Sequence, residues 1–365
     1  MSDKEQHLIA EVRGRVGCLT LNRPKAINAL SLGMIRGITA ALLAWREDPQ
    51  VLAVVIRGVN KDGPFGAFCA GGDIRFFHQA ALAGNPELED FFTEEYALNH
   101  LIFTYPKPYI AFMDGICMGG GMGISKGASL RVVTERSQLA MPETNIGLFP
   151  DVGGGYFLSR CAGRLGEYLG LTGQVLHGAQ AITAGLADGL VASDRLPAIW
   201  TGLADEAAFL SGEDVQRWVR DQLDATPAPA PWPREEVDRV FGLGSIKAII
   251  AALEGSDTDW ARQTAKVLRL RSPLMLHVVL EQIRRARPMT LAQDLRMERG
   301  LVRRCFHLRP GTASETVEGI RALAVDKDKQ PKWNPARIED VQDAEVEAFF
   351  ENPWPVSGHP LAHLN

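Results

Sequence analysis

The chain is poor in cysteine, with five in 365 residues. They are widely spaced and form no Cys-X-X-Cys pair, standing at Cys18, Cys69, Cys117, Cys161 and Cys305. An odd, scattered set argues against a disulfide framework and against a zinc site built on thiolates. We therefore expect free thiols, a reducing compartment and no metal centre.

The chain also lacks a strong charge of either sign, since its formal net charge is -5. This balance provides no basic surface for nucleic acid. The most apolar stretch, residues 109–124, contains Asp114 and several glycines, so it is too short and too interrupted to span a membrane. The N-terminus carries Asp3 and Glu5 and lacks the apolar segment of a signal peptide. These absences predict a soluble cytoplasmic protein with neither a nucleic-acid nor a membrane partner.

The sequence does contain β-rich runs that alternate with helical periodicity. Residues 8–12 and 16–21 flank a glycine, which predicts a β-hairpin. Ser31 is a suitable N-cap for a helix that extends to Trp45 with apolar residues at helical spacing. Further strands are predicted at residues 51–56, 109–113 and 130–133, with helices at residues 91–103 and 119–128. Strands separated by helices favour an α/β fold with parallel pairing.

The pattern changes after about residue 193, where strand-like runs become scarce. Residues 225–233 are rich in proline and predict an extended loop. Thr290 with Gln293 forms a capping box at the start of a predicted helix. We therefore predict a core over residues 1–195 and a mainly helical C-terminal region over residues 196–365.

Two glycine-rich turns each follow a predicted strand and precede a helical stretch. Gly71 and Gly72 lie in the first turn, and residues 119–121 form the second. Glycine lets a backbone approach a ligand closely, and free N–H groups at a helix start favour partial negative charge. Taken singly, each turn is more typical of close packing between a strand and a helix. Together they are better evidence for an oxyanion hole, which needs two converging donors.

Acidic residues follow the second turn. Glu143 lies among apolar residues, and Asp151 follows Pro150 just before three glycines. In an apolar pocket, desolvation would raise the pKa of Glu143, as acid–base catalysis requires. A solvated turn or an ion pair explains these acids equally well from the residues alone. Glu95, beside Glu94 in a helical stretch, is typical of a solvated helix face.

These motifs together resemble the crotonase (enoyl-CoA hydratase/isomerase) superfamily. The resemblance is carried by Asn-Arg-Pro-Lys-Ala-Ile-Asn-Ala-Leu at residues 22–30, Phe-Cys-Ala-Gly-Gly-Asp at residues 68–73 and Met-Gly-Gly-Gly at residues 118–121. Residues 141–158, with Pro-Asp-Val-Gly-Gly-Gly-Tyr at residues 150–156, more closely resemble the 3-hydroxyisobutyryl-CoA hydrolase branch. The resemblance extends from about residue 8 to residue 353. It implies a crotonase-like spiral of ββα units, which would form the catalytic core, with a helical C-terminal region.

The resemblance also implies roles for particular residues. Glu143 and Asp151 would be catalytic, and the backbone N–H groups of Gly72 and Gly120 would form the oxyanion hole. The residues that contact substrate would be Glu95, Gly120, Glu143 and Asp151.

One position departs from the hydratases of the superfamily. They carry a further catalytic glutamate three residues after the second oxyanion glycine, where this chain has Gly123. Hydration of a double bond uses two carboxylates around one water, so this departure favours the hydrolase branch.

The resemblance implies hydrolysis of the 3-hydroxyisobutyryl-CoA thioester to 3-hydroxyisobutyrate and CoA, in valine breakdown. CoA would be part of the substrate, and no separate cofactor is expected. Two alternatives stay open: an enoyl-CoA hydratase or isomerase that uses Glu143, and a non-catalytic acyl-CoA-binding protein. Crotonases commonly form homo-oligomers, so self-association is a further open expectation.

Overall fold

The computed structural model describes residues 6–204, 209–225 and 232–365, and its elements are numbered in chain order. The strands are β1 (Leu8–Arg13), β2 (Val16–Leu21), β3 (Ala53–Gly58), β4 (Tyr109–Met113), β5 (Ile116–Met118), β6 (Leu130–Val133), β7 (Gln138–Ala140), β8 (Leu176–His177) and β9 (Gly189–Leu190). The helices are α1 (Leu32–Glu47), α2 (Ile74–Ala83), α3 (Glu87–Phe103), α4 (Gly120–Lys126), α5 (Gly154–Leu158), α6 (Leu165–Thr172), α7 (Gly178–Thr183), α8 (Leu196–Gly202), α9 (Gly212–Arg220), α10 (Arg234–Phe241), α11 (Ile246–Glu254), α12 (Asp259–Arg269), α13 (Pro273–Ala286), α14 (Leu291–His307), α15 (Glu315–Ile320) and α16 (Asp343–Phe350).

The first of two compact units contains all the strands listed above. It comprises Met1–Gly72, Ala97–Ala140 and Val175–Ala230. Its larger sheet has the order β1-β2-β3-β4-β6-β9, in which β1 pairs antiparallel with β2 and every other pair is parallel. The predicted hairpin and the α/β class with parallel pairing are therefore confirmed.

Helix α1 shows how the sequence builds this unit. The Ser31 hydroxyl accepts a hydrogen bond from the Met34 N–H at 3.3 Å, so the predicted N-cap is confirmed. The apolar face of the helix is buried and ends at Trp45. Gly17 on β2 makes room for that indole ring, since a Cβ there would lie 2.5 Å from it.

A ββα unit carries the second glycine turn. Strand β4 leads into β5, and α4 follows directly from a turn at Gly119. Strand β5 belongs to a second sheet of the order β5-β7-β8. These three strands were not predicted, because segments of two or three residues show no measurable alternation.

The second unit is helical in the residues that the structure describes. It comprises Asp73–Tyr96, Met141–Gln174 and Pro231–Asn365. Helix α13 packs against α5, α6 and α16. Helix α14 begins with the predicted capping box: the Gln293 N–H donates to the Thr290 hydroxyl at 3.3 Å, and the Thr290 N–H donates to Gln293 Oε1 at 2.8 Å.

Both units are discontinuous in sequence, and neither begins or ends at residue 195. The predicted division into residues 1–195 and 196–365 stays a prediction. The middle of the predicted proline-rich loop, residues 226–231, lies outside the described residues. All five cysteines are buried, and none of them forms a disulfide bond. In the described part of the chain, helices long and apolar enough to cross a membrane are absent.

Candidate active site

The three acids predicted to act in the site are all buried in the second unit. Glu95 lies on α3, Glu143 opens a 3-10 turn (Glu143–Ile146), and Asp151 lies in the turn before α5. Their exposed fractions are 2%, 6% and 6%. The solvated helix face that the residues alone favour for Glu95 is therefore wrong, because this side chain points into the protein.

The turn that carries Glu143 depends on a glycine. Gly147 ends the 3-10 turn in the left-handed conformation, with φ 66°, and its N–H donates to the Glu143 carbonyl. A Cβ on Gly147 would lie 2.3 Å from the Glu315 carbonyl oxygen. The Thr316 hydroxyl also donates to the Gly147 carbonyl at 2.6 Å. The start of α15 therefore fixes the backbone of the Glu143 turn, and a side chain at position 147 would not fit.

The turn that carries Asp151 is strained. Val152 and Gly153 are both left-handed, with φ 56° and φ 87°. The Gly154 N–H donates to the Asp151 carbonyl at 2.7 Å and closes the turn. A β-branched residue at positive φ is rare and unfavourable, so surrounding contacts must hold it. Such strain occurs most often where a side chain has to be held in one direction for function.

Burial and mutual repulsion perturb the three carboxyl groups. Burial raises the pKa of Glu143 well above its usual range, and the charge of Asp151 raises it further. Burial raises the pKa of Glu95 well above its usual range, with further contributions from Asp151 and Glu143. Burial raises the pKa of Asp151 to about 7, despite a hydrogen bond from Tyr96 that lowers it. Because the three acids are buried and repel one another when charged, they do not all ionise near neutral pH, so one can act as a base while another carries a proton.

Tyr96 is a member of this site that the sequence analysis did not single out. Its hydroxyl donates to Asp151 Oδ2 at 2.8 Å, and its side chain is fully buried. Burial and the charge of Asp151 raise the pKa of Tyr96, so the phenol stays protonated and can donate. Adjacency to Glu95 is the one local signal, and it is a weak one.

Two oxygens of the cluster lack a hydrogen-bond partner within the described residues. Glu143 Oε2 and Glu95 Oε1 are buried and have no hydrogen-bond partner among the described residues. Buried polar atoms are normally paired, so an unpaired carboxylate oxygen in a native site calls for an explanation. Binding of a substrate hydroxyl or of water would satisfy both atoms.

The two glycine turns of the first unit run side by side. Cys69 forms a parallel bridge with Cys117, and the Met118 N–H donates to the Cys69 carbonyl at 2.9 Å. Gly71, with φ 106°, packs so closely that a Cβ on it would lie 3.6 Å from the Gly120 nitrogen. The structure therefore brings the predicted oxyanion residues, Gly72 and Gly120, into neighbouring turns.

The N–H groups of these two residues are available as donors. Gly120 is the first residue of α4, where backbone N–H groups have no partner within the helix. Within residues 6–204, 209–225 and 232–365, no hydrogen bond joins the Gly72 or Gly120 nitrogen to a protein acceptor. Two free donors in adjacent turns suit the oxygen of a thioester as it gains negative charge.

A serine pattern in the same region has a structural role. Residues 123–127 fit the Gly-X-Ser-X-Gly pattern of serine hydrolases. Ser125 lies inside α4, is fully buried, and donates its hydroxyl to the Gly121 carbonyl at 2.7 Å. A nucleophilic serine needs exposure at a strand-to-helix turn, so this serine does not fit that role.

One of the two histidines that stand closest in sequence is already hydrogen-bonded at both ring nitrogens. His359 precedes His363 by four residues. The Leu361 N–H donates to His359 Nδ1 at 3.0 Å, and His359 Nε2 lies 3.0 Å from the Arg296 carbonyl oxygen. In the described part of the chain, His, Cys, Asp and Glu form no group of three or more that could hold a metal ion.

Comparison with known proteins identifies the family. Residues 16–350 match the family described as Enoyl-CoA hydratase/isomerase. The chain belongs to the enoyl-CoA hydratase/isomerase family. The crotonase resemblance of its motifs is thereby confirmed.

Curated relatives in this family carry a hydrolase name. "3-hydroxyisobutyryl-CoA hydrolase, mitochondrial" of Xenopus tropicalis is 40% identical over 353 residues, covering 95% of this chain and 89% of the relative. The Bos taurus protein of the same name is 38% identical over 361 residues, covering 96% and 90%. "Probable 3-hydroxyisobutyryl-CoA hydrolase 3" of Arabidopsis thaliana is 40% identical over 363 residues, covering 96% and 93%. The animal relatives are named as mitochondrial, so they do not support the predicted cytoplasmic location.

Solved structures in this family confirm the fold. A protein described as a carnitinyl-CoA dehydratase from Mycobacterium thermoresistibile has a TM-score of 0.85 and 37% identity, covering 99% of this chain and 100% of that one. A protein described as an enoyl-CoA hydratase from Rhodobacter sphaeroides has a TM-score of 0.83 and 36% identity, covering 95% and 98%. The two descriptions name different reactions from that of the curated relatives.

Proposed function

We propose that the protein hydrolyses the 3-hydroxyisobutyryl-CoA thioester to 3-hydroxyisobutyrate and CoA. The observation that carries this proposal is the buried carboxyl of Glu143, whose Oε2 has no partner among the described residues. A carboxyl group in this environment can attack a carbonyl carbon or take a proton from water. The hydrolase names of the Xenopus, Bos and Arabidopsis relatives support the choice of substrate.

The reaction would begin at the thioester carbonyl. Its oxygen accepts hydrogen bonds from the N–H groups of Gly72 and Gly120, which stabilise the oxyanion of the tetrahedral intermediate. Either Glu143 attacks the carbonyl carbon, and a mixed anhydride forms as the C–S bond breaks, or Glu143 takes a proton from the water that attacks. CoA leaves as a thiolate and is protonated. In the anhydride route, water then releases the acid and restores Glu143.

Two other acids would assist. Asp151, which the Tyr96 hydroxyl holds, gives a proton to the leaving thiolate and receives one from water. Glu95 Oε1 accepts a hydrogen bond from the hydroxyl group of the acyl chain, which satisfies an oxygen that is otherwise buried without a partner. An acyl chain without this hydroxyl would leave that oxygen unpaired.

Enoyl-CoA hydration or isomerisation through Glu143 is a second candidate. It is favoured by the descriptions of the two solved structures as a dehydratase and a hydratase. Against it, Gly123 occupies the position at which the resemblance places the second carboxylate of a hydratase. Glycine provides no group that could activate water or deliver its proton.

The test is the release of thiol from 3-hydroxyisobutyryl-CoA by the purified protein, read with a thiol-reactive dye, beside loss of the double bond of crotonyl-CoA. We expect thiol release from the first and no hydration of the second. Hydration of crotonyl-CoA without thiol release from the first ester would overturn the proposal. Binding of both esters without any reaction would indicate a non-catalytic acyl-CoA-binding protein.

Glu143→Gln tests the proposed role of Glu143 as nucleophile or general base. It keeps the shape of the side chain and should lower turnover by about a hundredfold to ten-thousandfold, because the amide neither attacks nor takes a proton. Binding of the CoA ester should persist. Glu87→Gln, at an exposed position on α3, is the matched control and should keep full activity.

Isotope-labelled water tests for the anhydride route. After a single turnover in H2(18)O, attack of water on the enzyme side of an anhydride leaves the label in Glu143. Direct attack of water on the thioester, or attack on the acyl side of an anhydride, leaves the residue unlabelled, so label in Glu143 is the decisive result. Mass analysis of the peptide that contains Glu143 reads the difference.

A further inference from the structure

Two further buried acids, Asp294 and Glu298, lie on α14. Glu298 is fully buried, and its two oxygens bind the backbone that follows Asp151. Glu298 Oε2 accepts a hydrogen bond from the Gly153 N–H at 2.7 Å, and Oε1 accepts one from the Gly155 N–H at 2.9 Å. One side chain therefore holds two N–H groups of the segment in which the Asp151 turn becomes α5.

The two hydrogen bonds that Glu298 accepts from Gly153 and Gly155 form a clamp on the backbone. Neighbouring polar groups extend this clamp to the other side of Asp151. The Gln282 amide, from α13, donates to the Pro150 carbonyl at 2.7 Å and to Glu298 Oε1 at 3.0 Å. Asp294, one helical turn before Glu298, accepts from the Tyr156 N–H at 2.8 Å. Residues on both sides of Asp151 are thus held by side chains from α13 and α14.

The clamp depends on the two oxygens of one carboxyl group. Both Glu298 oxygens accept N–H hydrogen bonds, which an apolar side chain could not do. Burial raises the pKa of Glu298 well above its usual range and the charge of Asp294 raises it further, while the hydrogen bonds from Gly153 and Gly155 lower it. Burial of an acid is unfavourable, and an apolar residue of similar size would often stabilise a core as well or better. Stability alone therefore gives no reason for an acid at this position.

The strain at Val152 supplies a reason. A non-glycine residue at φ 56° persists only when its surroundings fix it, and the clamp begins at the next residue. A carboxyl group that reacts has to be held within a fraction of an ångström of its working position. We propose that Glu298 is a positioning residue, which holds the Gly153 and Gly155 N–H groups and thereby fixes Asp151 for catalysis. This inference deepens the proposed thioester hydrolysis and rests on it.

Glu298→Gln is the variant that tests the clamp. Glutamine preserves the volume of the side chain but presents an NH2 group to one of the two backbone N–H groups. We expect kcat for thiol release to fall by about tenfold to a hundredfold, since small misplacements of a reacting group have effects of that size. KM should change by less than about threefold, because the clamp contacts no substrate.

Glu167→Gln is the matched control. Glu167, on α6, is also fully buried in the second unit and forms ion pairs with Arg164 and Arg287. This variant should lose stability yet keep kcat within about twofold of the unaltered protein. If Glu298→Gln retains kcat, or if both variants lose kcat equally, the positioning role is overturned.

Hydrogen exchange provides a measurement that does not depend on activity. The amides in the peptide spanning residues 150–158 should exchange about tenfold faster in Glu298→Gln and at the original rate in Glu167→Gln. If the unaltered protein releases no thiol, the proposed hydrolysis fails, and exchange alone then decides whether Glu298 holds this turn. Unchanged exchange in Glu298→Gln would overturn the clamp.

Gln282→Met makes the same test if Glu298→Gln does not fold. It removes the hydrogen bonds to the Pro150 carbonyl and to Glu298 Oε1, and it leaves the Glu298 side chain unaltered. We expect kcat to fall and hydrogen exchange at residues 150–158 to become faster, each by less than in Glu298→Gln. A normal kcat together with normal exchange at residues 150–158 would again overturn the proposal.

Discussion

At the scale of single residues, the acidity of Asp151 depends on the Tyr96 hydroxyl. Burial raises the pKa of Asp151 to about 7, and the hydrogen bond from Tyr96 acts in the opposite direction. Tyr96→Phe removes this donor and leaves the ring in place, so the pKa of Asp151 should rise further, by about one unit. Because Asp151 gives a proton to the leaving thiolate, it must be protonated to act, so the basic limb of kcat/KM against pH should move to higher pH. The ratio of activity at pH 8 to activity at pH 6 should therefore rise.

Tyr105→Phe is the control for that profile. Tyr105→Phe also loses a hydrogen bond, which the half-buried Tyr105 hydroxyl donates to the Leu42 carbonyl at 2.7 Å, but Tyr105 lies in the first unit. Its pH profile should match that of the unaltered protein. A profile of Tyr96→Phe that is merely lower at every pH would show that the phenol contributes packing and leaves the acidity of Asp151 unchanged.

The sequence could predict these residues only in part. Glu143 and Asp151 stand out because acids interrupt an apolar, glycine-rich stretch, although a solvated turn explained them equally well. Tyr96 and Glu298 escaped notice because their partners are distant in the chain: Tyr96 lies 55 residues from Asp151, and Glu298 lies 145 residues from Gly153. Hydrogen bonds of that separation depend on tertiary packing, which no local pattern records.

At the scale of elements, the Glu143 turn depends on Gly147. Gly147→Ala would place a methyl group 2.3 Å from the Glu315 carbonyl oxygen and would force a non-glycine residue to φ 66°. We expect the free energy of unfolding to fall by about 3 kcal/mol or more, because a clash with backbone adds to the cost of the left-handed conformation. Urea denaturation measures this loss. Turnover should fall too, since α15 would have to move away from the Glu143 turn.

Gly84→Ala separates the cost of the left-handed conformation from the cost of the clash with backbone. Gly84 ends α2 with φ 64°, and a Cβ there would meet nothing within 4 Å. This variant has the conformational cost without the clash, so it should lose about 1 kcal/mol. Equal losses in the two variants would mean that the contact between Gly147 and α15 does not constrain the turn.

Elements with strong local signals were predictable, whereas short ones were not. Helix α1 has a capping serine and a continuous apolar face, so its start and its buried positions follow from the sequence. Helix α14 was marked by its capping box. Strands β5, β7 and β8 have two or three residues each and form because they meet one another. Their pairing is tertiary, and their sequences carry too few positions to show a period.

At the scale of the whole molecule, the chain places an unusual number of acids in the interior of its second unit. Burial raises the pKa of Glu95, Glu143, Asp151, Glu298 and Glu315. Such groups favour the folded state when they are protonated. Their stabilising contribution is complete below the pKa of the unfolded chain, near 4, and is lost as pH rises through the raised pKa of the folded state. For Asp151 the stabilising contribution is lost between about pH 4 and about pH 7.

The protein should therefore become less stable between pH 6.5 and pH 8.5. Lower pH is a poorer range for the test, because burial lowers the pKa of His277 and His359, and protonation of these residues then destabilises the folded state as pH falls. Glu143→Gln removes one ionisable group from the buried cluster. We expect this variant to gain on the order of 1 kcal/mol over the unaltered protein at pH 8.5 and less at pH 6.5.

Glu318→Gln is the matched control in the same unit. Its carboxylate pairs with Arg321 at 2.8 Å, and that hydrogen bond holds the pKa of Glu318 below its usual value. Glu318 is thus ionised throughout the range, and its substitution should lower stability equally at pH 6.5 and pH 8.5. Thermal denaturation at the two pH values measures both variants. Parallel dependence of stability on pH in Glu143→Gln and the unaltered protein would mean that ionisation of Glu143 does not destabilise the fold. The acids of the second unit would then be solvated, and burial would not explain their proposed reactivity.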